Sequence, residues 1–343
     1  MKDTINFAEL MGGLIEMQDV CGDNLSPQHF IPPPQEEFEP TVTNYETDGD
    51  CEIKTALPMH EYLSDRRIGS STFAAIQKSE LALQYEMQNK GNGENKPYYQ
   101  TGTAVHSYIE AWSAGAWSAG ISLDDYLSTL QVMPTFNRGT TDGVVAEIDF
   151  YSNLLSVNFN ATMPDKIADK KALADRLRKE CEKSHNFVSD KDAAVIAGIA
   201  AELQRRHNET GLLDWLRFAK SEWTFMYKHF KVRPDLLCDG LIVSVKTCAQ
   251  LDNAHKDAKF KYGLKEAFYR YVLERVTGKK HDTVFLFFET VAPYQSRLIY
   301  VSPETAEYYD QQVEVLIEKA TRCLASGKFR GYEANLEYGV EII

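Results

Sequence analysis

The sequence predicts an α/β fold in which a mixed central β-sheet is flanked by helices. Apolar and polar residues alternate between residues 221 and 247, which is typical of neighbouring strands with one buried face. Helical patterns precede and follow this stretch, and after them come two further strand patterns and a last helix. Elements in this order pack as a layer of sheet covered by helices.

The first 60 residues differ in composition from the rest of the chain. They are acidic, contain the proline run of IPPPQEEFEP and lack periodicity, so we expect a loosely structured, flexible segment. Up to Arg66 the chain carries fourteen acidic residues against Lys2, Lys54 and Arg66, which makes −11 of the total charge of −13. Such a segment either serves as a solubilising linker or mimics DNA at a basic surface.

The remaining chain, residues 61–343, is predicted to form one domain with a helical insertion at about 113–210. Capping residues and periodicity predict helices from Ser70 or Ser71 through Tyr85, from about Tyr99 to Trp112, over about 163–183, from Ser189 to about Gly211, over about Ala258–Arg275 and over 303–326. Three strands are predicted within 221–247, and single strands at 283–290 and 295–301. The stretch from Thr129 to Tyr151 mixes strand-like runs with turn residues.

Composition and motifs exclude several classes of protein. No apolar run approaches the ~18–20 residues of a membrane span, and the N-terminus lacks the features of a secretory signal. The six cysteines contain no CxxC pair, which argues against zinc and iron–sulfur sites and for free thiols in a reducing cytoplasm. The GxSxG, GxxxxGK[ST] and HExxH signatures are absent, so serine-esterase, P-loop and zincin chemistry lack support.

A basic strip interrupts the otherwise near-neutral body of the protein. Residues 246–280 contain nine Lys or Arg against four Asp or Glu, a local charge of +5. The strip is compatible with a surface that follows a phosphate backbone, and equally with the solvated face of a helix.

The stretch RPDLLCDGLIVSVKT, residues 233–247, predicts a β-hairpin that carries polar groups on one face. Its turn is Asp239-Gly240, a favoured two-residue connection. Because side chains alternate between faces, this register brings two opposed pairs to the same side: Asp235 with Ser244 and Arg233 with Lys246. Opposed Cβ atoms lie about 4.5–5.5 Å apart, a suitable distance for two groups that contact one cation.

The preceding hairpin extends this polar face. Lys228-His229 is a weaker turn, but a reversal there puts Glu222 opposite Asp235, in a row with Ser244 and near Lys246. One interpretation is an ordinary ion pair at the edge of a sheet. The other is a set of oxygen ligands for Mg²⁺, with a lysine that orients water or offsets negative charge on a phosphate.

Several short motifs follow one another in order between about Ile68 and Tyr332: IGSSTFAAIQKS, GTAVH, SEWTF, VRPD, VKT, YGLKEAFY and VFLFFETVAPY. Together they resemble the PD-(D/E)XK nuclease superfamily. The likeness is greatest to the phage-type exodeoxyribonuclease VIII (RecE-like) enzymes and to related prophage exonucleases. The resemblance implies a restriction-endonuclease-like core with the mixed sheet and flanking helices already expected.

The resemblance also implies roles for individual residues. Asp235 matches the central metal-binding aspartate, Glu222 the upstream acid, Lys246 the catalytic lysine and His106 a histidine that lies on a helix near the metal. Other residues are expected to contact DNA: Lys256, Lys259, Lys261, Lys265, Tyr262, Tyr269 and Arg233.

Ser244 departs from the family pattern, which has an acid two residues before the lysine. Three interpretations stay open. Glu222, Asp235 and the Val245 carbonyl can hold the ion, with Ser244 supplying its hydroxyl or a water. Alternatively, the acid has moved to the next helix as Glu266, as in some restriction endonucleases with an SxK motif. In the third interpretation the site is crippled.

The implied activity is Mg²⁺-dependent digestion of linear double-stranded DNA from its ends, with Mn²⁺ as a substitute. The resemblance further implies attack on the 5′-ended strand, a ring-like homo-oligomer, a phage single-strand annealing protein as partner in recombination and a place in the bacterial cytoplasm. The rival hypothesis is an impaired protein that keeps the nuclease fold and binds DNA ends or regulates a nuclease.

Overall fold

The computed structural model describes residues 50–55, 57–89, 97–111, 126, 128, 131–157, 163–182, 187–210, 216 and 219–331. Within these ranges the α-helices are α1 (Met59–Ser64), α2 (Ser70–Ala74), α3 (Glu80–Gln88), α4 (Pro97–Ala111), α5 (Thr141–Leu154), α6 (Ile167–Cys181), α7 (Asp190–Thr210), α8 (Ala254–Lys256), α9 (Gly263–Thr277) and α10 (Pro303–Ser326). The strands are β1 (Cys51–Lys54), β2 (Gln131–Met133), β3 (Phe187–Ser189), β4 (Lys220–Ser221), β5 (Thr224–Tyr227), β6 (Phe230–Val232), β7 (Leu236–Cys238), β8 (Leu241–Cys248), β9 (Asp282–Glu289) and β10 (Ser296–Tyr300).

The central sheet has five strands in the order β10-β9-β8-β7-β4. Strands β8 and β9 run parallel, whereas the other neighbours are antiparallel. The parallel pair needs a long crossover, which α8, a π-helix at Asp257–Lys261 and α9 provide. The prediction of an α/β fold with a mixed sheet flanked by helices is confirmed.

A second sheet has the order β1-β5-β6. It shares a two-stranded ribbon with the five-stranded sheet, because β4 continues into β5 and β6 continues into β7. Ser221 pairs with Leu236 in the large sheet, and Phe225 pairs with Val232 in the small one, so one register runs through both. The ribbon passes between sheets at Glu222, which has a left-handed φ of 54°. On the other strand the break includes Pro234, which has no N–H for a ladder. The three strands predicted for 221–247 are therefore five shorter ones.

Strand β1 lies within the first 60 residues, for which the sequence predicted a loosely structured segment. Cys51 pairs with Tyr227 and Lys54 with Thr224, so 51–54 belong to the small sheet. Cys51 and Ile53 also pack against the main core, and this apolar contact outweighs the acidic composition of the segment. Residues 1–49, which include Cys21, lie outside the described part of the chain.

The first predicted helix needs correction. The helix expected from Ser70 through Tyr85 is interrupted, because Ser79 accepts a hydrogen bond from Ala82 N–H and starts α3. Leu81 and Tyr85 are exposed as a result and do not join the core.

The strand-like stretch before Tyr151 contains α5, whose residues Val144, Ile148 and Tyr151 recur at helical spacing and are fully buried. The helices predicted at 163–183, after Ser189 and at 303–326 are present as α6, α7 and α10.

The chain divides into two units, one made of 1–119 with 199–343 and the other of 120–198. In the second unit β2 and β3 pair in parallel, and α5 and α6 enclose a separate core around Tyr151. This unit lies within the helical insertion predicted at 113–210, and the domain boundaries stay a prediction.

Two observations bear on membrane association and thiol state. Among the helices of the described ranges, none combines the length and apolar character that crossing a membrane requires. The five cysteines in those ranges are free thiols: Cys51, Cys181, Cys238, Cys248 and Cys323.

Helix α9 lies at the centre of the main core, in which it packs with β5, β6, α2 and α10. The ring of Phe268 stacks on Phe73 with centroids 4.3 Å apart. Gly263 begins the helix where a Cβ would lie 2.4 Å from the ring of Tyr309 on α10. This close approach fixes the depth of α9 and hence the position of the residues that it presents to the sheet.

We expect Gly263→Ala to destabilise the protein by about 1–3 kcal/mol, because the added methyl group must displace the Tyr309 ring from a well-packed site. Urea unfolding followed by circular dichroism measures the change. Glu274→Ala on the exposed face of the same helix is the matched control, expected within about 0.5 kcal/mol of wild type. Equal stability of the two variants would contradict the tight contact.

Candidate metal centre

The hairpin that carries the site has the predicted register. Gly240 takes a φ of 74° in the turn, and Leu236 pairs with Val243 and Cys238 with Leu241. The ladder ends at Leu236, so Arg233 does not oppose Lys246 as expected. The reason is that the chain has already crossed into the small sheet at that point.

Asp235 stands one residue before β7 and is held by the backbone of β8. Its Oδ2 accepts a hydrogen bond from Val245 N–H at 2.8 Å and one from Lys246 Nζ at 3.2 Å. Lys246 Nζ also donates to Ser244 Oγ at 2.9 Å. The predicted contact among Asp235, Ser244 and Lys246 on one face of the hairpin is thus present.

Three side chains meet on the other side of Asp235. One nitrogen of His106 and one oxygen each of Glu222 and Asp235 lie within 4.8 Å of one another. His106 Nδ1 is 3.6 Å from Asp235 Oδ1. Backbone pairing brings the two acids together, since Glu222 N–H donates to the carbonyl of Asp235 at 3.4 Å. Helix α4 supplies the histidine from a distant part of the sequence.

The two carboxyl groups have opposite pKa shifts. Burial alone would raise the pKa of Asp235, but the charges of Lys246, His106 and Lys265 lower it to about 2. Burial raises the pKa of Glu222 to about 8, with repulsion from Asp235 and Glu110 adding to the effect. At neutral pH the two carboxyl groups therefore carry one proton between them. A positive charge placed near both groups would favour the loss of that proton.

The chemistry of these donors fits a divalent cation. Lys246 and Val245 use only Oδ2 of Asp235, so Oδ1 remains directed toward His106 and the cluster. Two carboxylates are the ligands that Mg²⁺ and Mn²⁺ take in protein sites, and substrate and water complete the coordination. The raised pKa of Glu222 fits as well, because a bound cation would favour its ionised form.

Ser244 and Glu266 form a second arrangement behind the first. Ser244 Oγ donates to Glu266 Oε1 at 2.7 Å, and Glu266 is fully buried on α9. Among the described residues the other oxygen, Oε2, has no hydrogen-bond partner. A carboxylate therefore lies next to the position where the sequence has a serine in place of an acid.

Three of the five predicted metal ligands lie outside the compact cluster. Glu266 and Ser244 bond to each other, and the Val245 carbonyl accepts a hydrogen bond from Lys246 at 2.8 Å. The third donor of the cluster is instead His106, which was expected to complete the site. Sequence spacing could not rank these groups, because His106 and Glu266 reach the site from helices.

Comparison with known families agrees with this geometry. Residues 221–338, a third of the chain, match a family described as a PDDEXK-like domain of unknown function. This part of the chain, which contains Glu222, Asp235 and Lys246, is thus similar to PD-(D/E)XK-like domains. The finer resemblance to exodeoxyribonuclease VIII stays a prediction.

Other comparisons add little to the assignment. A crystal structure of a "Putative exonuclease" from Eubacterium rectale is 12% identical, with a TM-score of 0.47 over 82% of this chain and 91% of that one. This likeness is too distant to carry an argument. None of the curated proteins matches the sequence.

The residues predicted to contact DNA differ in how far their side chains are exposed. Lys256, Lys259 and Lys261 are exposed, whereas Arg233 and Tyr269 are buried. In the free chain Arg233 bonds to Thr224 and Tyr269 belongs to the core, so neither side chain is exposed, and their contact with DNA stays a prediction.

The last two predicted contacts, Tyr262 and Lys265, are half-buried beside the metal centre. The Tyr262 ring centroid lies 5.4 Å from Lys246 Nζ. The charge of Lys265 lowers the pKa values of Asp235 and Glu222.

Sequence reasoning missed a buried support of the upstream acid. The ring of Tyr62 lies between Lys231 Nζ at 4.2 Å and the guanidinium of Arg233 at 4.5 Å. Lys231 donates to the backbone carbonyls of Tyr62 and Asp65, and Arg233 Nε lies 3.9 Å from Glu222. The signal that could have found it is the pair of cations at i and i+2 on a buried strand.

We expect Glu222→Gln and Asp235→Asn each to weaken Mn²⁺ binding about tenfold or more, because each removes a charged ligand and preserves side-chain shape. Mn²⁺ titration followed by electron paramagnetic resonance measures the affinity. Asp252→Asn, an exposed acid just beyond β8, is the control and should bind like wild type. Unchanged affinity in all three variants would refute the assigned centre.

Proposed function

We propose that this chain is a divalent-metal-dependent deoxyribonuclease that digests linear double-stranded DNA from its ends. The observation that carries the proposal is the cluster of His106, Glu222 and Asp235 with Lys246 Nζ 3.2 Å from Asp235. Acids and a lysine on adjoining strands of a PD-(D/E)XK-like domain are the groups that phosphodiester hydrolysis needs.

Each residue has a definite task in this proposal. A divalent ion at the centre would polarise the scissile phosphate and lower the pKa of a bound water. Asp235 and Glu222 would hold that ion, and His106 would close the third side of the centre. Lys246 is fixed by Asp235, Ser244 and the Val245 carbonyl, so its ammonium is positioned to hold the attacking water or to offset charge on the phosphate.

The contact between Ser244 and Glu266 supports the second of the three interpretations of the missing acid. Lys246 donates to Ser244, and Ser244 donates to Glu266, so the serine hydroxyl links the lysine to a buried carboxylate. A crippled site gives no reason for a fully buried glutamate in this place, because an unpaired buried carboxyl is costly.

The exposed lysines at 256, 259 and 261, which precede α9, support a nucleic-acid substrate, whereas the choice of linear double-stranded DNA comes from the resemblance. Their charges can contact phosphates without regard to base sequence. The finer parts of the proposal come from the resemblance alone: Mg²⁺ as the natural ion with Mn²⁺ as substitute, digestion of the 5′-ended strand, a homo-oligomer, a phage annealing protein as partner and a cytoplasmic location.

The wild type should digest linear duplex DNA in Mg²⁺ or Mn²⁺ and leave closed circular duplex intact. Lys246→Met should lower the rate by about 100-fold or more, since it removes the positioned ammonium. Gel assays of nucleotide release over time measure both effects. Lys280→Met removes an exposed lysine and serves as the charge-matched control with a rate near that of wild type.

Two outcomes would overturn the proposal. Full activity of Lys246→Met would remove the lysine from the mechanism. Binding of DNA ends by the wild type without cleavage in either metal would establish the non-catalytic rival.

The role of Glu266 can be tested by removing its carboxylate and placing an acid at position 244 instead. Glu266→Gln should lower the rate about tenfold or more and raise the Mn²⁺ concentration needed for half-maximal activity, because it keeps the shape but removes the charge. Adding Ser244→Asp to Glu266→Gln should restore much of the rate, since the acid then occupies the family position. A purely structural role for Glu266 predicts lower thermal stability, no change in metal dependence and no rescue.

A further inference from the structure

An aromatic side chain is presented to solvent beside the basic residues. Phe260 is 74% exposed, more than any other large hydrophobic side chain in the described ranges. It lies between Lys259 and Lys261, which are also exposed. An isolated exposed apolar residue is ordinary, but one enclosed by lysines next to a nuclease-like site has a chemical environment that suits nucleic acid.

The local backbone explains why Phe260 points outward. Residues Asp257–Lys261 form a π-helix between α8 and α9. Ala258 is buried against Phe285 and Phe287, so the segment is anchored on the sheet from one side. The opposite side, with Phe260, is left in solvent. π-helical turns occur frequently at functional sites.

The charges around Phe260 complement a phosphate backbone. Lys259 Nζ lies 5.5 Å from the Phe260 ring centroid, and Lys256 is exposed one helical turn earlier. Lys261 is 3.7 Å from Asp257, which offsets part of the charge. The surface therefore offers cations and an aromatic face together, the combination that binds single-stranded nucleic acid.

Tyr262 connects this surface to the metal centre. Its ring centroid is 5.0 Å from Lys261 Nζ and 5.4 Å from Lys246 Nζ. Phe260 is thus only two residues from a ring that contacts the site lysine.

We infer that Phe260 stacks on an unpaired base of a DNA strand that crosses the exposed surface formed by Lys256–Lys261. This rests on the proposed function and names the substrate feature that the same site recognises. Bases inside a duplex have both faces covered by their neighbours, so only a strand end or an overhang offers a free face to the ring. The surface therefore favours DNA ends over continuous duplex.

Binding measured without divalent metal separates this inference from catalysis. The probes are a linear duplex with a single-stranded overhang that contains 2-aminopurine, and a closed circular duplex. Phe260→Ala should bind the overhang about tenfold more weakly and lose most of the fluorescence quenching. Phe260→Trp should behave like wild type, and all Phe260 variants should bind the circular duplex equally.

Two controls define the alternatives. Tyr85→Ala removes another aromatic residue that is 64% exposed and should leave all binding unchanged. Lys259→Ala should weaken overhang and circular DNA alike and reduce the salt dependence of binding by about one charge.

The inference is overturned if Phe260→Ala binds the overhang like wild type, or if it loses affinity for both DNA forms equally. A wild type that quenches 2-aminopurine but never cleaves DNA with metal would refute the proposed function and support the stacking role.

Discussion

The two oxygens of the Asp235 carboxylate are divided between the sheet and the metal centre, and the rest of the site depends on that division. Oδ2 is bound by Val245 N–H and Lys246, both on β8, at 2.8 and 3.2 Å. Oδ1 lies 3.6 Å from His106. Because two donors and nearby cations stabilise the charge, the pKa of this buried acid is about 2 and the group stays ionised. A fixed negative charge directly before β7 is the element around which a cation can be held.

Glu222 is the second carboxyl group of the cluster, and its surroundings differ from those of Asp235. It faces Asp235 through backbone pairing, and among the described residues the cation paired with it is Arg233, whose Nε lies 3.9 Å away. Burial and repulsion from Asp235 and Glu110 raise the pKa of Glu222 to about 8. The left-handed φ of 54° at Glu222 occurs where the ribbon leaves the five-stranded sheet. Strain of this kind persists only where surrounding structure fixes it, and here both sheets do so.

Local rules were sufficient for the pairing next to each turn, but they did not predict the division of the strands between two sheets or the side chains that pack on them. The Asp239-Gly240 turn and side-chain alternation gave the register that brings Asp235, Ser244 and Lys246 together, since both rules act within a few residues. No local rule places Tyr62 against Lys231, a contact across more than 160 residues. Likewise, α5 was mistaken for strand-like sequence because its β-branched residues follow turn residues, and only tertiary burial of one face decides for a helix.

Ser244 shows that a carboxylate absent from a sequence motif can be supplied to the site by another element of the fold. The Ser244 side chain on β8 contacts both Lys246 and Glu266 of α9. A carboxylate beside Lys246 can therefore come from β8 or from α9. A short serine leaves room for the longer side chain of Glu266, whose Oε1 ends 2.7 Å from the hydroxyl. The depth of α9, fixed where Gly263 meets Tyr309, is what makes this reach possible. A carboxylate is therefore retained in space although the sequence pattern lacks it, and a pattern read along one strand cannot detect such a substitution between elements.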